Sequence, residues 1–450
     1  WLLGVTLSGQ LLTSWSSEMF PNGLRRAPWQ ALRWAWRALP LSEPARLKVA
    51  PYLDRWLPAV AIRIRHGTPK PPVWLYPRPA AEISAGDFVL SGFLGDPTGI
   101  GRAGRMSLQA LRASQPSVIA HDLRTPPPPE VRDSVGGIWL SHCNPPEAVG
   151  FLLQSDLPKD RYRIGYWAWE LPELPEDWVP AISLFHELWA PSQFVADAIE
   201  KSRGDANVLI RVVPHPLPDM TAAHRDRPRF GIAEEVFAFL CMYDVRSTSA
   251  RKNPMGAVKA FQMAFSPQDQ RVCLVVKVNS TDPDPTCLDP LNQQICNWPN
   301  IRLIVESLSD ADSDSLIATA DVFVSLHRSE GFGLSIAQAM TLGRAVIATG
   351  WSGNVDFTEG GIVSVPYSLV PAQDPSGRYD APGQVWAEPD LYAAADAMVN
   401  FATDPTLAAA LGQKGYDLVR QKLPAYFEVS HLAPWLSEPL GAASRHLARA

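Results

Sequence analysis

Apolar residues along this chain come in short runs, and the runs alternate with stretches of helical period. The rhythm is clearest in the second half. Continuous apolar runs at 236–242, 272–278, 301–305, 321–326 and 345–349 predict strands. Between them, 254–265, 309–315 and 334–342 carry helical patterns, and Pro254 stands where a first-turn proline belongs. Strands buried on both faces read as unbroken apolar runs, so this alternation predicts a parallel sheet covered by helices on both sides. The first half repeats the rhythm more weakly. It predicts strands at 88–93, 118–121, 137–141, 164–167, 188–190 and 208–213, and helices at 104–113 and 194–201. A polar stretch at 219–233, containing His224, Arg225, Asp226 and Arg227, predicts a linker.

The expected fold class is therefore α/β, with two Rossmann-like, doubly wound parallel-sheet domains facing a cleft. The domains are expected at 86–220 and 234–403, with 404–450 as C-terminal helices packing back toward the N-terminal domain and 1–85 as a separate segment. Ligands of such sheets bind beyond the carboxyl ends of the strands. The loops that follow strands are thus the place to look for chemistry.

Composition narrows the functional classes. A length of 450 residues suits two or three domains, and 46% hydrophobic with 19% charged residues excludes wholesale disorder. A net charge of −6 lacks the basic footprint of a general nucleic-acid binder. The five cysteines, at 143, 241, 273, 287 and 296, form no C-x-x-C pair, which fits a reducing, cytoplasmic setting. No apolar run reaches the ~18 residues of a membrane span. Charge is uneven, however: residues 21–70 hold ten Lys or Arg against two acids, interleaved with Trp29, Trp34, Trp36 and Trp56. That segment reads either as an interfacial helix on anionic lipid, at the inner face of a membrane, or as a short helical bundle packed on the rest of the protein. Pro40, Pro44 and Pro51 break it into short pieces.

Four loops carry candidate chemistry. Gly95, Gly99 and Gly101 lie in G-D-P-T-G-I-G-R between a predicted strand and helix, either as an anion-binding turn or as a structural one. Arg246, Arg251 and Lys252 follow the strand at 236–242, as a diphosphate clamp or as a solvated loop. The run S-E-G-F-G-L-S-I-A-Q-A-M delivers a Gly-x-Gly turn into a helix, with Glu330 on the turn and Gln338 on the helix. A carboxylate there suits sugar hydroxyls, and equally suits a helix N-terminus. Gly350 to Phe357, with Ser352, Gly353 and Asn354, is either a ligand loop or a connector. The D-x-D of Asp282 and Asp284 is flanked by two prolines and reads as a turn, so no metal site is expected.

These motifs resemble the retaining GT-B glycosyltransferases of the large group 1 type (family four), which includes mannosyl- and glucosyltransferases of polysaccharide assembly. S-E-G-F-G-L…Q resembles that family's E-x(7)-E signature, Arg246 and Lys252 its R-x(5)-K pair, and Ser352-Gly353-Asn354 its post-strand loop. The runs I-G-Y-W-A-W-E-L-P at 164–172 and W-A-P-S-Q-F-V at 189–195 look like bacterial members. The resemblance spans about 86–430 and implies a nucleotide-sugar donor as substrate, with no cofactor and no bound metal. It implies a glycan or lipid-linked glycan as acceptor. Arg246 and Lys252 would hold the diphosphate and Glu330 the transferred sugar. Gly331, Phe332, Gly333, Leu334 and the 352–354 loop would line the donor site with the Gly95–Gly101 turn opposite. Gln338 replaces the second Glu, the ribose ligand, so Gln338→Glu is expected to keep or raise activity. His142 is a candidate contact to sugar or acceptor, or a buried structural histidine, and Glu170 and His186 are acceptor-side candidates. Front-face displacement, with donor phosphate helping to deprotonate the acceptor, would need no protein nucleophile. The alternative is a catalytically weak nucleotide-sugar-binding subunit or scaffold.

Overall fold

The computed structural model describes residues 75–427, apart from 85, 115–116, 134, 155–159, 219, 221–222, 280–284 and 380. The basic, Trp-rich segment at 21–70, the D-x-D turn and the last 23 residues lie outside the described residues.

Six parallel strands build the first sheet: β1 (Phe88–Gly92), β2 (Ile119–Asp122), β3 (Ile138–His142), β4 (Tyr162–Tyr166), β5 (Glu187–Ala190) and β6 (Leu209–Val212), in the order β2-β1-β3-β4-β5-β6. Leu90 pairs with Leu140, and Leu140 with Ile164, all three fully buried. Helices α1 (Gly99–Ser114), α2 (Pro145–Gln154) and α3 (Gln193–Ser202) connect these strands. The Ser192 hydroxyl caps α3 by accepting from Val195 N–H.

The second sheet holds β7 (Phe237–Asp244), β8 (Val272–Asn279), β9 (Ile301–Val305), β10 (Val322–Ser325), β11 (Ala345–Thr349) and β12 (Val363–Val365), in the order β12-β11-β10-β7-β8-β9. This is the doubly wound arrangement with its switch point between β10 and β7. Helices α4 (Pro254–Ala264), α5 (Asp310–Thr319), α6 (Leu334–Thr341), α7 (Leu391–Thr403) and α8 (Pro405–Lys422) accompany it.

Three features differ from expectation. The stretch 219–233 is not a free linker: Arg227 is 1% exposed and donates to the carbonyls of Ala233, Glu234 and Val236 and to Asp321, which fastens it to the second sheet. Helix α8 packs on β11 and α6 within the second domain, with Gly412 against the Gly343 carbonyl. The chain crosses back only after it, where Pro424 O accepts from Leu217 N–H and Phe427 meets Trp189. Finally, an antiparallel hairpin, β13 (Tyr367–Pro371) and β14 (Val385–Pro389), is inserted after β12. Its Ala372, Tyr379 and Trp386 pack in the first domain's core with Trp167, Trp169 and Leu171. Among the described residues, no helix is long and apolar enough to cross a membrane.

Candidate active site

Three loops at the carboxyl ends of β7, β10 and β11 converge. After β7, Thr248 (φ 60°) and Asn253 (φ 48°) bracket a single helical turn, Ser249–Lys252. Left-handed backbone is costly for residues other than glycine, most of all for β-branched Thr, and side-chain bonds hold both positions. Thr248 Oγ1 accepts from Arg251 N–H, while Asn253 accepts from Gly256 N–H and donates to Leu326 O at 2.8 Å. The result turns Arg251 inward and sets Lys252 beside the β10 loop. There, Gly333 (φ 89°) opens α6 in a conformation that glycine adopts freely. After β11, Ser352 (φ 69°) accepts from Glu330 N–H at 2.8 Å, and Gly353 N–H donates to Glu330 O at 2.9 Å. A Cβ on Gly353 would sit 2.1 Å from Gly331 O, so the two loops fit together only through a glycine.

A charge cluster lies where these loops meet. Lys252 Nζ is 2.5 Å from Glu330 Oε1. Arg251 donates to Ser329 O at 2.7 Å and lies 3.5 Å from Glu330 and 3.4 Å from Glu170. The Tyr379 hydroxyl donates to the other oxygen of Glu170 at 2.9 Å, and the Arg251 guanidinium sits 5.3 Å from the Tyr379 ring centre. Burial alone would raise the Glu330 carboxyl, but Lys252, Arg251 and His327 outweigh it and hold it at about 2. His327, fully buried beside Asn354, is pushed down to about 4, chiefly by burial, and is neutral at ordinary pH.

The first domain supplies the opposite wall. Gly95 N–H donates to Asp122 at 2.6 Å, and a Cβ on Gly101 would meet Asp96 O at 2.2 Å. This tight loop presents the loop's own Asp96 carboxylate to Arg124 and Arg246. Arg246 also chelates Asp244, at 2.8 and 3.1 Å. Helix α1 then reaches across. Arg102 pairs with Asp314, and the Gln338 amide oxygen accepts from its guanidinium at 2.6 and 2.7 Å. Arg105 pairs with Asp310 at 2.7 and 2.8 Å. On the far side, Ser192 donates to Gly331 O at 2.6 Å, and Gln193 N–H to Asp356 at 2.6 Å.

The structure thus brings Lys252, Glu330, Gly331, Ser352 and Gly353 together, and joins Glu170 to them. Phe332 and Leu334 turn partly into the core behind, with Phe332 against Phe357 and His215. Gln338 faces the cleft but is occupied by Arg102, and Gly99 has open space around it. Asn354 is buried and bonds Thr349 O, so it shapes the loop from within. His142 ends β3 as a buried, neutral ring, held near 4 chiefly by burial, bonded to Ser107 and 4.6 Å from Tyr166. His186 is corrected. It precedes β5, at the amino end of the sheet, and its two ring nitrogens bond Arg163 N–H and Arg78 O while the ring stacks on Tyr162. It is a structural residue remote from the cleft. Arg251, one of the cations expected after β7, is buried against Glu170 and Glu330, and Tyr379, which the sequence does not single out, joins it there; in the R-K-N-P turn a buried Arg looks like a solvated one. Among the described residues, no cluster of His, Cys, Asp and Glu is placed to hold a metal ion.

Residues 289–388 match the family model described as "Glycosyl transferases group 1". That stretch holds Glu330, Gln338 and the 350–354 loop. No curated protein matches the chain. Among solved structures, Anabaena HepE in complex with UDP and glucose is similar over 76% of this chain and 96% of its own, at 14% identity and a TM-score of 0.57. HepE in complex with UDP-glucose covers 81% and 98%, at 14% identity and 0.55. Sucrose-phosphate synthase from Thermosynechococcus elongatus covers 75% and 95%, at 16% identity and 0.54. The chain has the GT-B fold.

Proposed function

We propose that this protein is a retaining glycosyltransferase that moves a sugar from a nucleotide-diphosphate donor to a glycan or lipid-linked glycan. The observation that carries the reading is Glu330. It is a carboxylate held ionised at the mouth of the second domain, the donor side in this reading, beside the part-exposed cation Lys252 and inside the segment that matches the glycosyltransferase model. Glu330 would accept hydrogen bonds from the transferred sugar. Lys252, joined by Arg246 once it leaves Asp244, would neutralise the diphosphate as negative charge grows on the leaving group. Retention would follow from front-face attack, the donor phosphate taking the acceptor proton, with the protein's own cations in place of a metal. Glu170, on the first-domain wall and 3.4 Å from Arg251, would meet the acceptor. The basic segment at 21–70 would bring the enzyme to lipid-linked acceptors at the cytoplasmic membrane face.

That HepE, of the same fold, was solved in complex with UDP and with UDP-glucose supports a nucleotide-sugar donor. A second reading, a nucleotide-sugar-binding subunit with little turnover, is favoured by the Arg102–Gln338 contact, which fills the place expected for ribose. The test is thermal shift against UDP, GDP, ADP and CDP and their sugars. A ligand at about 100 times its Kd adds about 2.7 kcal/mol to folded stability. Stabilisation by one diphosphate, followed by its release from the matching sugar donor, is expected. Binding without turnover over a panel of glycan acceptors selects the second reading, and no shift with any nucleotide refutes both.

A further inference from the structure

The two cations on Glu330 differ in freedom. Lys252 is part-exposed at the cleft, at the end of a flexible four-carbon stem. Arg251 is 2% exposed and pinned: its guanidinium holds Ser329 O, Glu170 and Glu330 under the Tyr379 ring. Its backbone is fixed as well, since Thr248 caps its N–H and its carbonyl accepts from Arg328 N–H at 2.7 Å. A diphosphate arriving in the cleft competes for Lys252. Glu330 then loses its nearest cation inside a buried site, where an unpaired carboxylate takes up a proton.

We propose that Arg251 is a positioning residue, the fixed counter-charge that keeps Glu330 ionised when Lys252 turns to a bound diphosphate, with Glu170 and Tyr379 holding Arg251 in place. This rests on the donor reading above. Every group facing Glu330 enters the argument. Lys252 and Arg251 come from the β7 loop, His327 from the end of β10, and the Ser352 hydroxyl from the β11 loop. Glu170 and Tyr379 act through Arg251, and Asn354 lies beside His327. His327 is neutral, so Arg251 is the permanent charge among them. The hydrogen-bonded Tyr379 also orients Glu170, so that one carboxylate does not draw Arg251 away from the other.

The first test needs no ligand. In Lys252→Met, the urea midpoint is followed from pH 5 to 8. If Arg251 suffices, the profile runs parallel to that of the wild type. If it does not, an unpaired Glu330 with a raised pKa makes the midpoint fall relative to the wild type as pH rises, and that difference vanishes in Lys252→Met/Glu330→Gln; that result overturns the proposal. The second test is calorimetry of the nucleoside diphosphate from the panel above that binds, at pH 6.5 in buffers of different ionisation enthalpy. The variant Glu170→Gln/Arg251→Gln, which removes one charge of each sign, should take up close to one proton more per ligand than the wild type. Adding Glu330→Gln should abolish the excess. Binding without that excess uptake also overturns the proposal. A wild type that binds none of the four nucleotides refutes the donor reading instead. The Lys252→Met profile decides the role of Arg251 in that case, and where the double variant fails to fold.

Discussion

Removing Arg102 should tighten nucleotide binding. Its guanidinium makes two short bonds to the Gln338 amide oxygen, at 2.6 and 2.7 Å, and a third interaction with Asp314. If ribose hydroxyls bind Gln338, they must first displace this arginine. A hydrogen bond to a charged group contributes about 1.5–3 kcal/mol net. The displaced guanidinium keeps Asp314 and gains water, so the cost is set at the low end, about 1.5 kcal/mol. Arg102→Ala should therefore lower the Kd for the cognate nucleoside diphosphate about 10-fold, while losing about 2.5 kcal/mol of stability, about 1.5 with the Gln338 contact and about 1 with the Asp314 pair. Titration calorimetry reads the first and urea denaturation the second. Gln338→Glu should act in the opposite sense, because an Arg–carboxylate pair is roughly twice as strong as a neutral contact. The affinity should fall several-fold and recover in Arg102→Ala/Gln338→Glu. The structure thus reverses the sign expected from sequence, which assumed an unobstructed ribose ligand. An unchanged Kd in Arg102→Ala would mean that ribose does not meet Gln338. A weaker Kd would mean that Arg102 itself touches the nucleotide.

Other outcomes follow from the same geometry. His142 and His327 are held near 4 by burial, against an ordinary value of 6.5. The unfolded chain binds these protons first, so stability is full above about pH 6.5 and drains as pH falls toward 4, by up to about 3 kcal/mol per histidine. Urea midpoints at pH 7.5, 6 and 5 should show that decline, and a slope unaltered in both His142→Phe and His327→Phe would refute it. Gly101→Ala places a Cβ 2.2 Å from Asp96 O, so the loop must shift, at a cost of about 1–3 kcal/mol, whereas Gly99→Ala meets nothing; equal stability of the two variants argues against the loop geometry. Tyr379→Phe deletes the bond to Glu170 and should cost about 1.5 kcal/mol in urea denaturation, with Glu170→Gln/Tyr379→Phe costing little more than Glu170→Gln alone. Arg105→Ala breaks an inter-domain ion pair that is 31% and 44% exposed, worth about 0.5 kcal/mol or less, and with it the bonds to Leu94 O and Asp96 O, so the loss should reach about 1–2 kcal/mol and only its smaller part should fade in high salt.

The parallel strands were legible because each is buried on both faces and reads as an unbroken apolar word. Phe239, Leu240, Leu274 and Val346 are fully or almost fully buried, and their runs were located to within a residue or two. The hairpin was not legible for the opposite reason. Tyr367 and Leu369 face solvent, Pro366 and Pro371 interrupt the pattern, and its buried partners belong to a distant stretch of chain. The site divides in the same way. Glu330, Lys252 and the glycine turns stand in local motifs whose spacing carries the chemistry. Arg251 and Tyr379 gain their roles from contacts across 81 and 209 residues, to Glu170, that no local pattern encodes. His186 was misplaced because a polar residue beside a short strand does not reveal which end of the strand it occupies. The Arg102–Gln338 contact was hidden because an arginine in the first turn of a helix reads as solvated until the facing domain is known.

The hairpin has a consequence for how such a molecule can be taken apart or recombined. In chain order it belongs to the half built on the second sheet, yet its Ala372, Tyr379 and Trp386 complete the core of the half built on the first. A second-sheet half made alone would carry these apolar groups bare, and a first-sheet half would have a matching hole beside Trp169. Exchange of second-sheet halves between proteins of this fold would therefore succeed only where 366–390 stays with the half it packs against. The boundary for a working chimera would be drawn around the hairpin in space, at two cuts flanking it, and not at the single crossing between the two sheets.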